Sequence, residues 1–262
     1  VARIAHEAAR TRTRHLVLVT GLPGSGKTLV GLRLAHSRFL DDLAVARNGV
    51  KPTAPAVYLS GNGPLVQVLQ YELRGAGGGG RTFVRDVKAY VERYARRPDL
   101  VPPEHVLVFD EAQRAFDAEQ VRETHKGQGD GKSEPEHFVE FAERVPEWCV
   151  VVGLIGSGQE IHVGEEGGLV QWRWAIERSG RADEWVVHVP PAARGVFDGL
   201  GRVRDVPELH LAAELRFHLA QHVHDLVRGV LGEPVSESPP RLAARLDAQG
   251  YHLRITRDLD TA

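Results

Sequence analysis

The chain of 262 residues has no methionine, even at position 1, and a single cysteine, Cys149. The missing methionine implies a cut piece of a longer protein or an unusual translational start. One cysteine excludes an intramolecular disulfide, and its place in the apolar run Trp148 to Val152 marks a buried structural thiol rather than a reactive one. No apolar run is long enough to span a bilayer and no signal peptide is visible, so the expected compartment is the cytoplasm, without a membrane partner. Net charge is also scarce. A formal charge of −2 supplies no global field toward nucleic acid, so binding to DNA or RNA requires a local patch or groove. What remains, 42% hydrophobic and 26% charged residues, is the composition of an ordinary globular chain, long enough for one large or two small domains.

The most informative stretch is His15 to Thr28, HLVLVTGLPGSGKT. A short apolar run, Leu16 to Val19, reads as a buried strand. It leads into Gly21, Pro23, Gly24, Ser25, Gly26, Lys27 and Thr28, followed by an apolar helical pattern through Leu29, Val30, Leu32, Leu34 and Phe39. Strand, glycine loop and helix together give a Walker A match its P-loop context. Glycines let successive N–H groups wrap a phosphate without Cβ clashes, and the helix N-terminus adds its positive end. Lys27 would reach the β- and γ-phosphates of ATP, and the Thr28 hydroxyl would hold Mg²⁺.

A second apolar strand, His105 to Asp110, ends in Asp110-Glu111. A carboxylate pair at a strand tip supplies two roles: Asp110 on Mg²⁺ through water, and Glu111 on the attacking water. In Asp-Glu-Ala-Gln-Arg (110–114) the glutamine follows closely. Gln159, past the next predicted strand, is a second glutamine whose amide can both donate and accept, as a γ-phosphate sensor needs. Arg216 carries a planar, permanent charge suited to a transferring phosphoryl group, although taken alone it is an ordinary surface arginine. His218 and His222 are one helical turn apart, but nothing completes a metal motif.

Elsewhere the chain alternates short apolar strands with helices. Arg3, Arg10, Arg12 and Arg14 read as a short basic helix with a solvated face. Ala56 to Ser60 reads as a strand, with a helix after Pro64 to about Arg74. Gly75 to Gly80 reads as a linker, Val84 to Arg97 as a helix, and Thr124 to Pro135 as a surface loop. A helix from about Pro135, a strand from Trp148 to Gly153, a helix bearing Trp172 and Trp174, and a strand from Glu184 to Val189 follow. A long amphipathic helix is expected over 209–231, and Leu253 to Arg257 starts a strand. This order predicts an α/β fold, a parallel β-sheet flanked by helices on both faces, with ligands at the carboxyl ends of the strands.

Several stretches together resemble the Schlafen-group DNA/RNA helicase-like domain of bacteria, a branch of P-loop ATPases close to superfamily 1. They are GLPGSGKT (21–28), YLSGNGPLVQVLQYEL (58–73), VFDEAQRAFD (108–117), SEPEHF (133–138), GLIGSGQEIHVGEEGGLVQW (153–172), ELRF (214–217) and GYHLRITRDLD (250–260). The resemblance implies a RecA-like P-loop NTPase fold that uses ATP and Mg²⁺. It implies that Ser60 and Asn62 touch a nucleic-acid backbone, that Gln159 senses the γ-phosphate, and that Arg216 lies on it. It further implies a first motor lobe over 1–235, with 236–262 a linker and the start of a second RecA-like lobe that is otherwise missing. The leading expectation is an ATP-driven helicase or translocase. An ATP-gated switch or scaffold without unwinding is the alternative, and a small-molecule kinase is disfavoured because no arginine-rich lid is visible.

Overall fold

In the computed structural model the described residues are 1–36, 38–44, 54–75, 80–114, 131–156, 167–212, 222–230, 232 and 234–251. The expected loop at 124–130, Gln159, Arg216, His218 and the strand from Leu253 lie outside them. The chain forms two compact units, Val1–Ala212 and Ala213–Ala262. The boundary expected after residue 235 lies inside the second.

The first unit is an α/β layer structure. Its elements are α1 (Ala2–Thr11), β1 (Arg14–Gly21), α2 (Lys27–His36), β2 (Ala56–Ser60), α3 (Gly63–Gly75), the short α4 (Gly80–Phe83), β3 (Val84–Asp86), α5 (Val87–Ala95) and β4 (Val106–Phe109). There follow α6 (Glu134–Arg144), β5 (Cys149–Gly156), α7 (Gly167–Arg178), β6 (Trp185–Val189), β7 (Val203–Asp205) and β8 (His210–Leu211). The sheet order is β3-β2-β4-β5-β1-β6-β7, with β8 beside the end of β1, and every pairing is parallel.

Side-chain alternation divides the core in two. Leu16, Leu18, Val57, Leu59, Leu107 and Phe109 pack with α5, α6 and α7, while Val17, Val19, Tyr58, Val106 and Val108 pack with α1, α2 and α3. Both faces are therefore covered, which is why these strands read as continuous apolar runs. The register places Gly21 opposite Gly156 and Phe109 opposite Gly153, so the ends of β1, β5 and β4 share one edge. One strand, β5, separates the P-loop strand from the strand that carries Asp110.

Several expectations are corrected. Val84–Asp86 is a strand, not the start of a helix, because β2 offers a free edge and Asp86 caps α5 by accepting from Ala89 N at 2.8 Å. The helix after the P-loop ends at His36, and Phe39 lies half-exposed in a 3-10 turn, Arg38–Leu43. Residues 207–211 do not begin the long helix. Pro207–Leu209 is a 3-10 turn and His210–Leu211 joins the sheet, burying Leu209 beside β1. Arg14 belongs to β1 and is buried. It donates to the carbonyls of Ala142, Glu143 and Val145 at 3.1–3.3 Å and pairs with Glu184, satisfying the last carbonyls of α6. Cys149 is buried in β5, as expected of a structural cysteine.

The helix α6 begins with a capping box. Ser133 Oγ accepts from Glu136 N, and the Glu136 carboxylate accepts from Ser133 N, satisfying two amides that a helix start leaves open. The second unit holds α8 (Val223–Val230) and α9 (Pro239–Ala248), joined through Leu226, Leu242 and Leu246. Among the described residues no helix is long and apolar enough to cross a membrane.

Candidate nucleotide site

The loop from Leu22 to Gly26 leaves β1 at its carboxyl end and enters α2 at Lys27. Gly24 and Gly26 have φ of 84° and 91°, a left-handed backbone that glycine adopts without cost. Gly21 is required for a different reason. A Cβ there would lie 2.5 Å from Ser25 Oγ and 2.9 Å from Leu211, so only glycine lets the loop close on the sheet. The Ser25 hydroxyl is buried beside Gly21 with no hydrogen-bond partner. Lys27 Nζ lies across the loop and donates to the carbonyls of Gly21 and Leu22 at 2.7 and 2.9 Å. Pro23 completes the turn, in which Ser25 N donates to Leu22 O at 3.0 Å.

Thr28 opens the first turn of α2, and Asp110 follows β4. They meet at Tyr58, the first residue of the 58–73 stretch, to which the motif reading assigned no role. Its hydroxyl donates to Asp110 Oδ2, and the Thr28 side chain lies close enough to influence the same phenol. Tyr58 sits wholly buried in β2. Burial, and then the neighbouring Asp110 carboxylate, push its phenol pKa up; burial likewise raises that of Asp110. The ring fits because α2 carries Gly31 at this height. A Cβ on Gly31 would stand 2.7 Å from Leu154 Cδ1 and 3.0 Å from Tyr58 Cε2.

Glu111 has φ of 56°, in the left-handed region that a non-glycine residue occupies at a cost of about 1–3 kcal/mol. The turn is held from outside. Gln113 Nε2 donates to Glu111 Oε2 at 2.6 Å, while Gly156 N donates to Gln113 Oε1 at 3.0 Å. Trp172 Nε1 donates to Ala112 O at 3.2 Å. Gln113 thus ties the carboxylate of Glu111 to the end of β5, next to the P-loop strand. The sequence showed a glutamine there, but not which group it holds.

Thr28, Asp110 and Glu111 line one cavity of about 420 Å³ with Ser60, Asn62, Lys88 and Glu134. Ser60 Oγ accepts from Asn62 N at 3.2 Å, and Asn62 Oδ1 caps α3 by accepting from Leu65 N at 3.1 Å. Both therefore shape the loop after β2, and Asn62 remains exposed. A separate furrow of about 910 Å³ runs between α3 and α5, lined by Arg81, Arg85, Arg93, Gln67 and Gln70. Arg85 is paired with the buried Glu104 at 2.8 Å. No group of three or more histidine, cysteine or acidic residues positioned for a metal occurs among the described residues.

Comparison with curated proteins finds no match. Among solved structures, the chain is similar to the Hef helicase domain of Pyrococcus furiosus, at 13% identity and a TM-score of 0.40. That alignment covers 99% of this chain and 54% of the other, so the chain spans about half the length of that domain. Residues 14–262 match the family described as Schlafen group 3, DNA/RNA helicase domain. With nearly the whole chain matched, and with the P-loop and the Asp110-Glu111 turn at one end of a parallel sheet, one strand apart, this protein belongs to the Schlafen group 3 DNA/RNA helicase domain family.

Proposed function

We propose that the chain is an ATP-hydrolysing motor domain, helicase- or translocase-like, that acts on DNA or RNA. The observation that carries this reading is the convergence of Thr28 with Asp110 and Glu111, distant from it in sequence, on one cavity, with the buried Tyr58 hydroxyl donating to Asp110. A hydroxyl and a carboxylate oxygen are hard donors that suit Mg²⁺, whose remaining ligands are phosphate oxygens and water. When bound, Mg²⁺ neutralises charge on the β- and γ-phosphate oxygens. The buried, unpartnered Ser25 hydroxyl and the Gly21 contact fit a loop built around a phosphate.

The chain's own groups then divide the work. The loop amides and Lys27 hold the phosphates. Glu111, fixed by Gln113, accepts the proton of a water whose oxygen attacks the γ-phosphorus as the bond to the ADP oxygen breaks. Gln159 and Arg216 are proposed to sense and stabilise the γ-phosphate. Nucleic acid is proposed to meet the loop of Ser60 and Asn62. In the furrow next to it, Arg81 and Arg93 supply local positive charge on a chain whose total charge is near neutral.

The test is ATP hydrolysis with and without single-stranded DNA and RNA, with Glu111→Gln as the blank. Lys27→Ala should abolish ATP binding; Glu111→Gln should keep binding and stop turnover. Stimulation by one polymer identifies the substrate. Normal hydrolysis by Glu111→Gln would overturn the assignment of Glu111, and ATP-gated partner binding without polymer stimulation would favour a switch over a motor.

A further inference from the structure

We propose that Tyr58 is the positioning residue of the divalent-cation site, setting the orientations in which the Thr28 hydroxyl and the Asp110 carboxylate present their free lone pairs. The proposal rests on the nucleotide-site reading above and adds to it Tyr58, a residue of β2 to which the motif reading assigned no role.

The orientation follows from a count of protons. A phenol has one O–H to donate. Tyr58 gives it to Asp110 Oδ2, since a carboxylate can only accept. With that proton spent, the neighbouring Thr28 hydroxyl can only donate to Tyr58 Oη. A hydroxyl that ligates a cation needs its proton turned away and its lone pairs turned toward the ion. The bond to Tyr58 fixes the proton on that far side. At Asp110 the same phenol engages Oδ2, the Glu111 backbone N–H also interacts with the carboxylate, and the cation's water would meet the remaining lone pairs. One hydroxyl therefore orients both ligands, in the way outer hydrogen bonds fix the ligands of metal sites.

Packing makes this orientation rigid. The ring is wholly buried in β2, beneath α2 and against Gly31, where a Cβ would already be 3.0 Å from Cε2. A strand position covered on both faces needs only an apolar residue, and phenylalanine would fill it equally well. The buried oxygen is explained by its two partners, not by the core.

The experiment compares wild type with Tyr58→Phe and Thr28→Val, using a fluorescent N-methylanthraniloyl ADP as probe. The probe is titrated first in EDTA and then at fixed concentration with rising MgCl₂. In EDTA, Tyr58→Phe should bind the probe within about twofold of wild type, which also reports an intact P-loop. The MgCl₂ concentration at half-effect should rise about 10–100-fold, the scale of losing an outer partner of a metal ligand. Thr28→Val should shift it likewise, and the double variant by less than the product of the two shifts, because the two residues act through one bond. A purely structural Tyr58 would weaken probe binding in EDTA as much as in MgCl₂, and that result overturns the proposal. An unchanged midpoint in Tyr58→Phe beside a raised one in Thr28→Val also overturns it, while leaving the site reading intact. No shift in Thr28→Val, or full probe binding by Lys27→Ala, would overturn the site reading and the proposal together.

Discussion

Lowering the pH from 7 to 5 should remove about 4 kcal/mol of folding stability through one pair of side chains, His15 and His188. They face each other across β1 and β6, both buried, with Nδ1 of His15 2.9 Å from Nε2 of His188 and the rings stacked at 5.0 Å. Burial lowers the pKa of each to about 4. At His188 the charge of a protonated His15 lowers it further, while Glu7 works against the shift at both rings. In the unfolded chain each ring has its ordinary value of about 6.5. Below that pH the unfolded chain takes up protons that the folded chain refuses until about pH 4. The stabilisation is therefore complete above pH 6.5, declines between 6.5 and 4, and is gone below 4. At pH 5, about 1.5 units below the unfolded value, the loss is about 2 kcal/mol per ring at 1.36 kcal/mol per unit.

Competing groups do not cancel this loss. His6, held by the Ala2 carbonyl, has a raised pKa and gains stability in the same window, but it is largely exposed. Glu7 and Glu136, lowered chiefly by hydrogen bonds to Arg204 and to Ser133 and Arg178 against the cost of burial, release their contributions only at lower pH. The assay is urea unfolding at pH 7 and pH 5, followed by the fluorescence of Trp148, Trp172 and Trp185, which are buried in the first unit. With an m-value of about 3 kcal/mol/M, the midpoint should fall by more than about 1 M. His188→Gln, which does not titrate, should lose half as much or less. Equal pH sensitivity in the two proteins would refute the reasoning.

Two further outcomes follow from the site. Gln113→Leu removes a hydrogen bond to a charged group worth about 1.5–3 kcal/mol, so kcat for ATP should fall about 10–100-fold with nucleotide affinity unchanged; steady-state kinetics within twofold of wild type would exclude a role for Gln113 in holding Glu111. Gly31→Ala gains about 1 kcal/mol of helix propensity but overpacks Leu154 and Tyr58 at about 1–3 kcal/mol; thermal melts should show a net loss of about 1 kcal/mol, and an equal or higher melting temperature would mean that α2 has room to move.

The amino-acid sequence by itself determined what depends on neighbours along the chain. The P-loop, the Asp110-Glu111 strand tip, Ala56–Ser60 as a strand and the helix after Ser133 were legible because glycine spacing, apolar runs and caps act over a few residues. The family was legible because its motifs are such local strings. Only the tertiary structure decided what depends on partners far along the chain. β3 exists because the free edge of β2 accepts it, and β8 because the end of β1 at Thr20 and Gly21 runs past β6, against a local pattern that reads as helix. Arg14 became a buried support because the last carbonyls of α6 end beside it. Tyr58 became part of the site because the order β2-β4-β5-β1 sets Asp110 beside it, and Gly31 lets α2 bring Thr28 down to the same hydroxyl. A tyrosine in a buried strand looks apolar in sequence. Its one polar atom acquires a function only when strand order and helix packing determine which two groups surround it.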